Sequence, residues 1–361
     1  MSANVIAIDG PAASGKSSVA KQIAERLHIP YISTGALYRA LAWKWKKLGH
    51  TIEEMNDDAM TDFLSGTKLA CRCAPEGGLF DAEIDGVCPG EALHTQEISA
   101  GASRIATLPS VRTWLLDVQR NMAGEKRIVM EGRDIGTAIF PDARHKFFLT
   151  ASPEIRAERR LKQSGEPFDQ DALKKVAADI AARDEQDRNR KTAPLKQAED
   201  AIFLDNSAMD LEQTLQFILD AVREKDIQIS RNTVLRYRVP YADTDQMGVV
   251  YYANYLKYFE MFRSEMMIAA GESYQEMEKH GYALPVIEAV CHYKAPAHFE
   301  DILEITGRVA ECRGVRVKIE CEIHCRGKLL AEGHTIHACI NREGKPARIP
   351  PTITVLWEEK K

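Results

Sequence analysis

The chain has 361 residues, long for a single hydrophobic core, so two domains are expected. With 45% hydrophobic and 28% charged residues it has the composition of an ordinary globular protein. Its net charge of -5 argues against a general nucleic-acid or membrane-surface binder, which needs a basic patch or tail, so any charged ligand must be caught locally.

At the N-terminus, Val5, Ile6, Ala7 and Ile8 make a short apolar run suited to a strand buried on both faces. The run is far shorter than the roughly 20 residues of a membrane span and is not preceded by a basic segment, so neither a span nor a signal peptide is expected. Gly10-Pro11-Ala12-Ala13-Ser14-Gly15-Lys16-Ser17, followed by Ser18, fits G-x-x-x-x-G-K-[ST]. Val19, Ile23 and Leu27 then recur as a helical stripe, so the pattern stands between a strand and a helix, as a phosphate-binding loop requires. The two glycines let backbone N–H groups approach phosphate oxygens, Lys16 adds a mobile positive charge, and the Ser17 hydroxyl can reach a phosphate-bound Mg²⁺. A nucleoside triphosphate is the expected ligand.

Ile29 to Ile32 reads as a second strand, and Ser33-Thr34-Gly35-Ala36-Leu37-Tyr38-Arg39 follows. With Glu131-Gly132-Arg133-Asp134-Ile135-Gly136-Thr137 these motifs resemble bacterial cytidylate kinases over roughly residues 3–225. The resemblance implies a P-loop nucleoside monophosphate kinase fold, a parallel sheet flanked by helices. It further implies a monophosphate-binding insert at about 61–103, where turn signals suggest small hairpins, and a lid at about 154–190 whose polar turn is 162–167. It assigns Thr34, Arg39, Arg133 and Arg190 to the acceptor, Asp187 to its ribose, and Ser103, Arg112 and Asp134 to cytosine, with Lys16, Arg133 and Arg190 acting on the transferred group.

Cytosine offers an amino donor beside two acceptors, so a carboxylate and a guanidinium together select it. Asp134 can accept from the amino group, Arg112 can donate, and Ser103 can do either. Phosphoryl transfer needs positioning and charge neutralisation, so no nucleophilic side chain is expected. The arginines at 156, 159, 160, 183, 188 and 190 are read as serving the lid, although interleaved acids could make them a solvated helix face. Two residues depart from the family pattern: Ser33 replaces an acid and His94 an arginine, which bears on acceptor affinity. A related kinase with another acceptor is the alternative.

Leu211 to Val222 is expected to close this domain and residues 223–232 to form a polar linker, giving domains 1–226 and 227–361. Beyond it, Val234 to Val239 is strand-like, and Tyr251, Tyr255, Tyr258, Phe262 and Met266 make one core face of a helix from about 250 to 270. From Val315 to Cys325 apolar and polar residues alternate strictly, a half-exposed antiparallel strand with Cys321 and Cys325 buried. The eight cysteines of the chain show no zinc-like spacing and are read as reduced, small hydrophobic residues, in keeping with a cytoplasmic setting.

One long helix with an antiparallel sheet is an α+β hotdog architecture. Asp243-Thr244-Asp245-Gln246-Met247-Gly248-Val249-Val250-Tyr251-Tyr252 resembles acyl-CoA thioesterases of the 4-hydroxybenzoyl-CoA type, over about residues 233–350. The resemblance implies that Asp245 is catalytic, as nucleophile or general base, and that the Tyr252 N–H polarises the thioester carbonyl. It also implies a homo-oligomer formed through this domain. Capping of the helix by Asp243 and Asp245 is the competing reading of those acids, and a non-catalytic acyl-CoA-binding or dimerising module that of the domain. Small-molecule substrates, CMP or dCMP, ATP and acyl-CoA, are the expected partners, with neither nucleic acid nor membrane.

Overall fold

A computed structural model describes residues 4–73, 80–124, 127–164, 169–190, 192–271 and 273–354. The chain divides into two compact units, Met1–Leu219 and Asp220–Lys361. No described helix is long and apolar enough to cross a membrane.

In the first unit the buried apolar run becomes β1 (Val5–Asp9), and the helical stripe becomes α1 (Lys16–Leu27). They are followed by β2 (Tyr31–Ser33) and α2 (Thr34–Lys47). The stretch expected to hold small hairpins holds one, β3 (Leu69–Cys73) with β4 (Phe80–Ile84), preceded by α3 (Asp57–Ser65). From Gly90 it is helical, because Pro89-Gly90 opens a 3₁₀ turn and the Thr95 hydroxyl caps α4 (Gln96–Ile105). Gly77 and Gly78 lie outside the described residues.

The unit continues through α5 (Pro109–Ala123), β5 (Ile128–Gly132), β6 (His145–Thr150), α6 (Pro153–Ser164), α7 (Gln170–Arg188) and β7 (Ile202–Asp205). Residues 165–167 of the expected lid turn are also outside the description. The five strands pair in parallel in the order β2-β5-β1-β6-β7. β1 and β5 are buried at every position, and apart from Asp9 and Glu131 near their C-terminal ends they are apolar. Chain order reverses at β1, so the crevice beyond the C-terminal ends of β1, β2 and β5 is where such a sheet binds ligands.

The expected polar linker is instead the continuation of α8 (Leu211–Arg231). Residues 223–229 lack glycine and proline and are rich in helix formers, and Ile227 continues the buried spacing of Leu215, Ile218 and Val222. The division between the units falls within this helix.

The second unit contains β8 (Leu235–Arg238), α9 (Asn254–Ala269), α10 (Tyr274–Lys279) and β9 (Tyr282–Ala283). Four longer strands or their partners follow: β10 (Val286–Tyr293), β11 (Ile302–Arg313), β12 (Arg316–Cys325) and β13 (Lys328–Ala338). Its antiparallel sheet has the order β10-β13-β12-β11-β8. On β12 the expected alternation holds, with Val317, Ile319, Cys321, Ile323 and Cys325 buried.

Directly paired positions Gly307, Cys321, Gly333 and Cys291 form a row of small residues across four strands. Phe262 and Phe259 of α9 seat against this row. A Cβ on Gly307 would come within 2.7 Å of the Phe262 ring, and one on Gly333 within 3.0 Å of the Phe259 ring.

Candidate active sites

β1 delivers the chain into a loop that tolerates no side chain at its start. Gly10 has φ 151°, and a Cβ there would lie 2.0 Å from the Leu149 carbonyl oxygen. Gly15 has φ 89°, and α1 begins after it without a side-chain cap, so its first-turn amides are left for an anion. The loop is held from behind at Ala12. Its N–H donates to Asp184 Oδ1 at 3.0 Å, its carbonyl accepts from Arg156 Nη1 at 3.2 Å, and Arg156 and Asp184 form a buried ion pair. The Ser14 carbonyl accepts from Arg159 Nη1 and Asn206 Nδ2, both at 3.3 Å. Arg156 and Arg159, read from the sequence as lid arginines, therefore brace the loop.

Lys16 is 4% exposed, and its ammonium group donates to the Pro11 carbonyl at 2.7 Å and to Ser14 Oγ at 3.4 Å. Burial, aided by the charge of Arg133, lowers its pKa to about 7. Ala13 has φ 57°, and Ser18 is exposed on α1. Ser17 Oγ donates to Glu131 Oε1 at 3.1 Å, and the same oxygen accepts from Ser33 Oγ at 2.6 Å. Where an acid is absent at position 33, the serine thus joins a buried acid from β5. Sequence reasoning quoted Glu131 inside a motif but gave it no role.

The expected acceptor residues gather beyond β5. Arg112 on α5 donates through Nη2 to Asp134 Oδ2 in a buried ion pair, through Nη1 to Tyr38 Oη at 3.3 Å, and to the Ala106 carbonyl at 3.4 Å. Burial pushes the Tyr38 phenol up to about 12, so it stays neutral. Ser103 is half-buried one turn before Ala106, and Thr34 is buried with its hydroxyl donating to the Glu131 carbonyl at 3.0 Å.

Asp187 accepts from Arg133 Nε at 2.9 Å and lies 3.5 Å from Arg190 Nη1. Arg39 Nε, Arg112 Nε and Arg190 Nη2 are buried without a hydrogen-bond partner. Burial pulls the Arg39 and Arg190 pKa values down, and the like charges of Arg133 and Arg160 press further on Arg39. Unused buried donors on crowded cations cost free energy until an anion arrives. Arg160 thereby joins the cluster, whereas His94 is exposed at the end of its 3₁₀ turn.

In the second unit the two acids of the D-x-D element have different surroundings. Asp243 is 6% exposed, and its Oδ2 accepts from Tyr237 Oη and Tyr258 Oη, both at 2.8 Å. Burial and this carboxylate raise the Tyr237 phenol to about 12, keeping it a donor. Asp245 is half-exposed; its Oδ1 accepts from the Met247 N–H at 2.8 Å. Gly248, at φ 74°, turns the chain back so that Asp245 N–H donates to the Val249 carbonyl and Tyr251 N–H to the Asp243 carbonyl, both at 2.9 Å. This return brings Tyr251 and Tyr252 alongside the acids.

α9 starts later than expected, at Asn254, with Ala253 at its N-cap and no side-chain cap bond. Neither aspartate caps it, which removes the competing reading of these acids. The Tyr252 carbonyl accepts from Tyr293 Oη at 3.0 Å, and its N–H lies just ahead of the helix, at the positive end of the dipole.

Residues 6–224 match the family model described as cytidylate kinase, and residues 239–355 that of a thioesterase-like superfamily. The cytidylate kinase of Nitratidesulfovibrio vulgaris is 42% identical over 225 residues, covering 62% of this chain and 94% of that protein. The cytidylate kinase of Neisseria meningitidis is 44% identical over 225 residues, covering 61% and 97%. Two solved structures are similar to the second unit. A probable thioesterase from Bartonella henselae is 32% identical with a TM-score of 0.32, covering 33% of this chain and 98% of its own. A 1,4-dihydroxy-2-naphthoyl-CoA thioesterase from Synechocystis is 29% identical with a TM-score of 0.33, covering 34% and 93%.

Proposed function

The chain belongs to the cytidylate kinase family through residues 6–224, and on that footing we propose that it is bifunctional, phosphorylating CMP or dCMP with ATP in one unit and hydrolysing acyl-CoA thioesters in the other. The observation that carries the first activity is the set of buried, unused donors on Arg39, Arg112 and Arg190, with Arg190 beside the Arg112–Asp134 pair and Arg39 beside Arg133. In this reading residues 10–18 wrap the donor phosphates, with Lys16 neutralising charge as it moves to the acceptor. Arg39, Arg133 and Arg190 clamp the acceptor phosphate and Asp187 takes the ribose. Ser103, Arg112 and Asp134 read the base.

Ser17 Oγ and the Glu131 carboxylate, 3.1 Å apart, are hard oxygen groups that suit Mg²⁺ held jointly with substrate phosphates. When bound, that ion supplies charge neutralisation. Uracil reverses the hydrogen-bond polarity that Asp134 and Arg112 meet, at about 1–3 kcal/mol per unpaired group. The purified chain with ATP and Mg²⁺ is therefore expected to phosphorylate CMP well ahead of UMP; equal turnover of the two would refute the base assignment.

For the second activity, Asp243 is held by two phenols while Asp245 keeps an oxygen available, so Asp245 is the acid that meets the thioester. It either attacks the carbonyl, expelling the CoA thiolate to leave a mixed anhydride that water then opens, or takes a proton from a water that displaces the thiolate directly; the Tyr252 N–H stabilises the oxyanion, a contact worth about 10²–10³ in rate. Incorporation of ¹⁸O into Asp245 during single-turnover hydrolysis in ¹⁸O-water identifies it as the nucleophile, since a general base acquires no label. Cys71, Cys88, Cys291, Cys312, Cys321, Cys325 and Cys339 form no disulfide, which supports a reducing cytoplasmic setting. The edge strand β10 exposes Val286, Ile287 and Tyr293, which supports a homo-oligomer formed through this unit.

A further inference from the structure

Asp9, the last residue of β1, takes no part in the chemistry above, yet it is only 5% exposed. Its Oδ1 accepts from the Ile135 N–H and its Oδ2 from the Gly136 N–H, both at 2.8 Å. Ile135 and Gly136 open a single π-turn, Ile135–Ile139, directly after Arg133 and Asp134. Asp9 itself directly precedes Gly10. One carboxylate is thus joined covalently to the donor loop and by two hydrogen bonds to the segment that reads the base and clamps the acceptor phosphate.

The arrangement is costly to keep. Burial raises the Asp9 pKa to about 7, and the two amide donors pull it the other way. The approach also depends on Gly136. A Cβ there would lie 3.4 Å from Asp9 Oδ2 and 3.1 Å from Lys146 Cδ. The Lys146 side chain cannot easily yield, because its ammonium group binds both oxygens of Asp200, at 2.8 and 2.9 Å, and the Pro141 carbonyl.

We propose that Asp9 is a positioning residue that keeps Arg133 and Asp134 in register with the phosphate-binding loop, so that cytosine selection and phosphoryl transfer share one buried clamp. This rests on the cytidylate kinase reading. The loop has independent anchors, since Ala12 is held by Asp184 and Arg156, and Ser14 by Arg159 and Asn206. Loosening the clamp should therefore displace the acceptor side and leave ATP binding intact.

The test is full steady-state kinetics of the wild-type chain, Asp9→Asn and Gly136→Ala with CMP and UMP. Wild-type preference for CMP tests the kinase reading by itself. In Asp9→Asn an amide NH₂ replaces one acceptor, and kcat with CMP should fall roughly 10–100-fold, as expected for misplacement of reacting groups by a fraction of an ångström to an ångström. The ratio of kcat/KM for CMP over UMP should fall with it, while KM for ATP stays within about twofold.

Gly136→Ala should show the same split to a smaller degree, and it carries the test if Asp9→Asn does not fold. An unchanged CMP-over-UMP ratio in the folded variants would overturn the proposal. So would parallel losses for ATP and CMP accompanied only by a lowered Tm, the signature of a purely structural residue.

Discussion

Lys16 sits buried inside the proposed phosphate-binding loop. Its ammonium group is buried against the Pro11 carbonyl with no ion pair to a carboxylate among the described residues, and burial lowers its pKa to about 7. In the absence of nucleotide a substantial fraction of molecules therefore carries a neutral lysine at neutral pH. A bound triphosphate favours the charged form, so binding takes up a proton and affinity must fall as pH rises above the free-state pKa. Between about pH 7.5 and 8.5, where ATP is fully ionised, the Kd for ATP is expected to weaken by up to about tenfold. Calorimetry in two buffers of different ionisation enthalpy should report the matching proton uptake. A pH-independent Kd would show that Lys16 is already charged in the free protein.

At the scale of elements, the β11–β12–β13 face is a place where the fold turns on residues with little side chain. A Cβ on Gly307 would lie 2.3 Å from the Glu320 carbonyl oxygen as well as against Phe262, so neither backbone nor ring can yield cheaply. Gly307→Ala is expected to destabilise the second unit by about 2–4 kcal/mol, measured by denaturant titration.

This row was not legible in the sequence, because cross-strand register brings together residues 291, 307, 321 and 333 and no local pattern links them. What local periodicity could show, it showed. β1, α1 and β12 stand where their apolar spacing places them. The expected linker failed for a related reason: charge was read as a break, although residues 223–229 contain nothing that stops a helix. In the candidate sites, motifs point to the phosphate loop, Arg112, Asp134 and Asp245. They gave no role to Asp9, Glu131, Asp184 and Arg156, whose partners are distant in sequence and whose part is to hold other groups.

At the scale of the whole chain, each proposed chemistry lies within one compact unit, so each should be separable by a single substitution. The β10 edge offers unpaired backbone groups beside Val286 and Ile287, which are 54% and 51% exposed. If this edge joins two copies, Ile287→Lys should convert the chain from dimer to monomer by light scattering, with CMP phosphorylation unchanged. An unaltered mass would place any dimer contact elsewhere.

The two proposed activities require two active centres in one polypeptide. The most direct measurement is acyl-CoA hydrolysis and CMP phosphorylation, side by side, by the wild-type chain, Lys16→Ala and Asp245→Asn. The expected result is that wild type performs both reactions, Lys16→Ala loses only phosphorylation, and Asp245→Asn loses only hydrolysis. Absence of hydrolysis by wild type across short, long and aromatic acyl-CoA thioesters, or hydrolysis undiminished in Asp245→Asn, would contradict it.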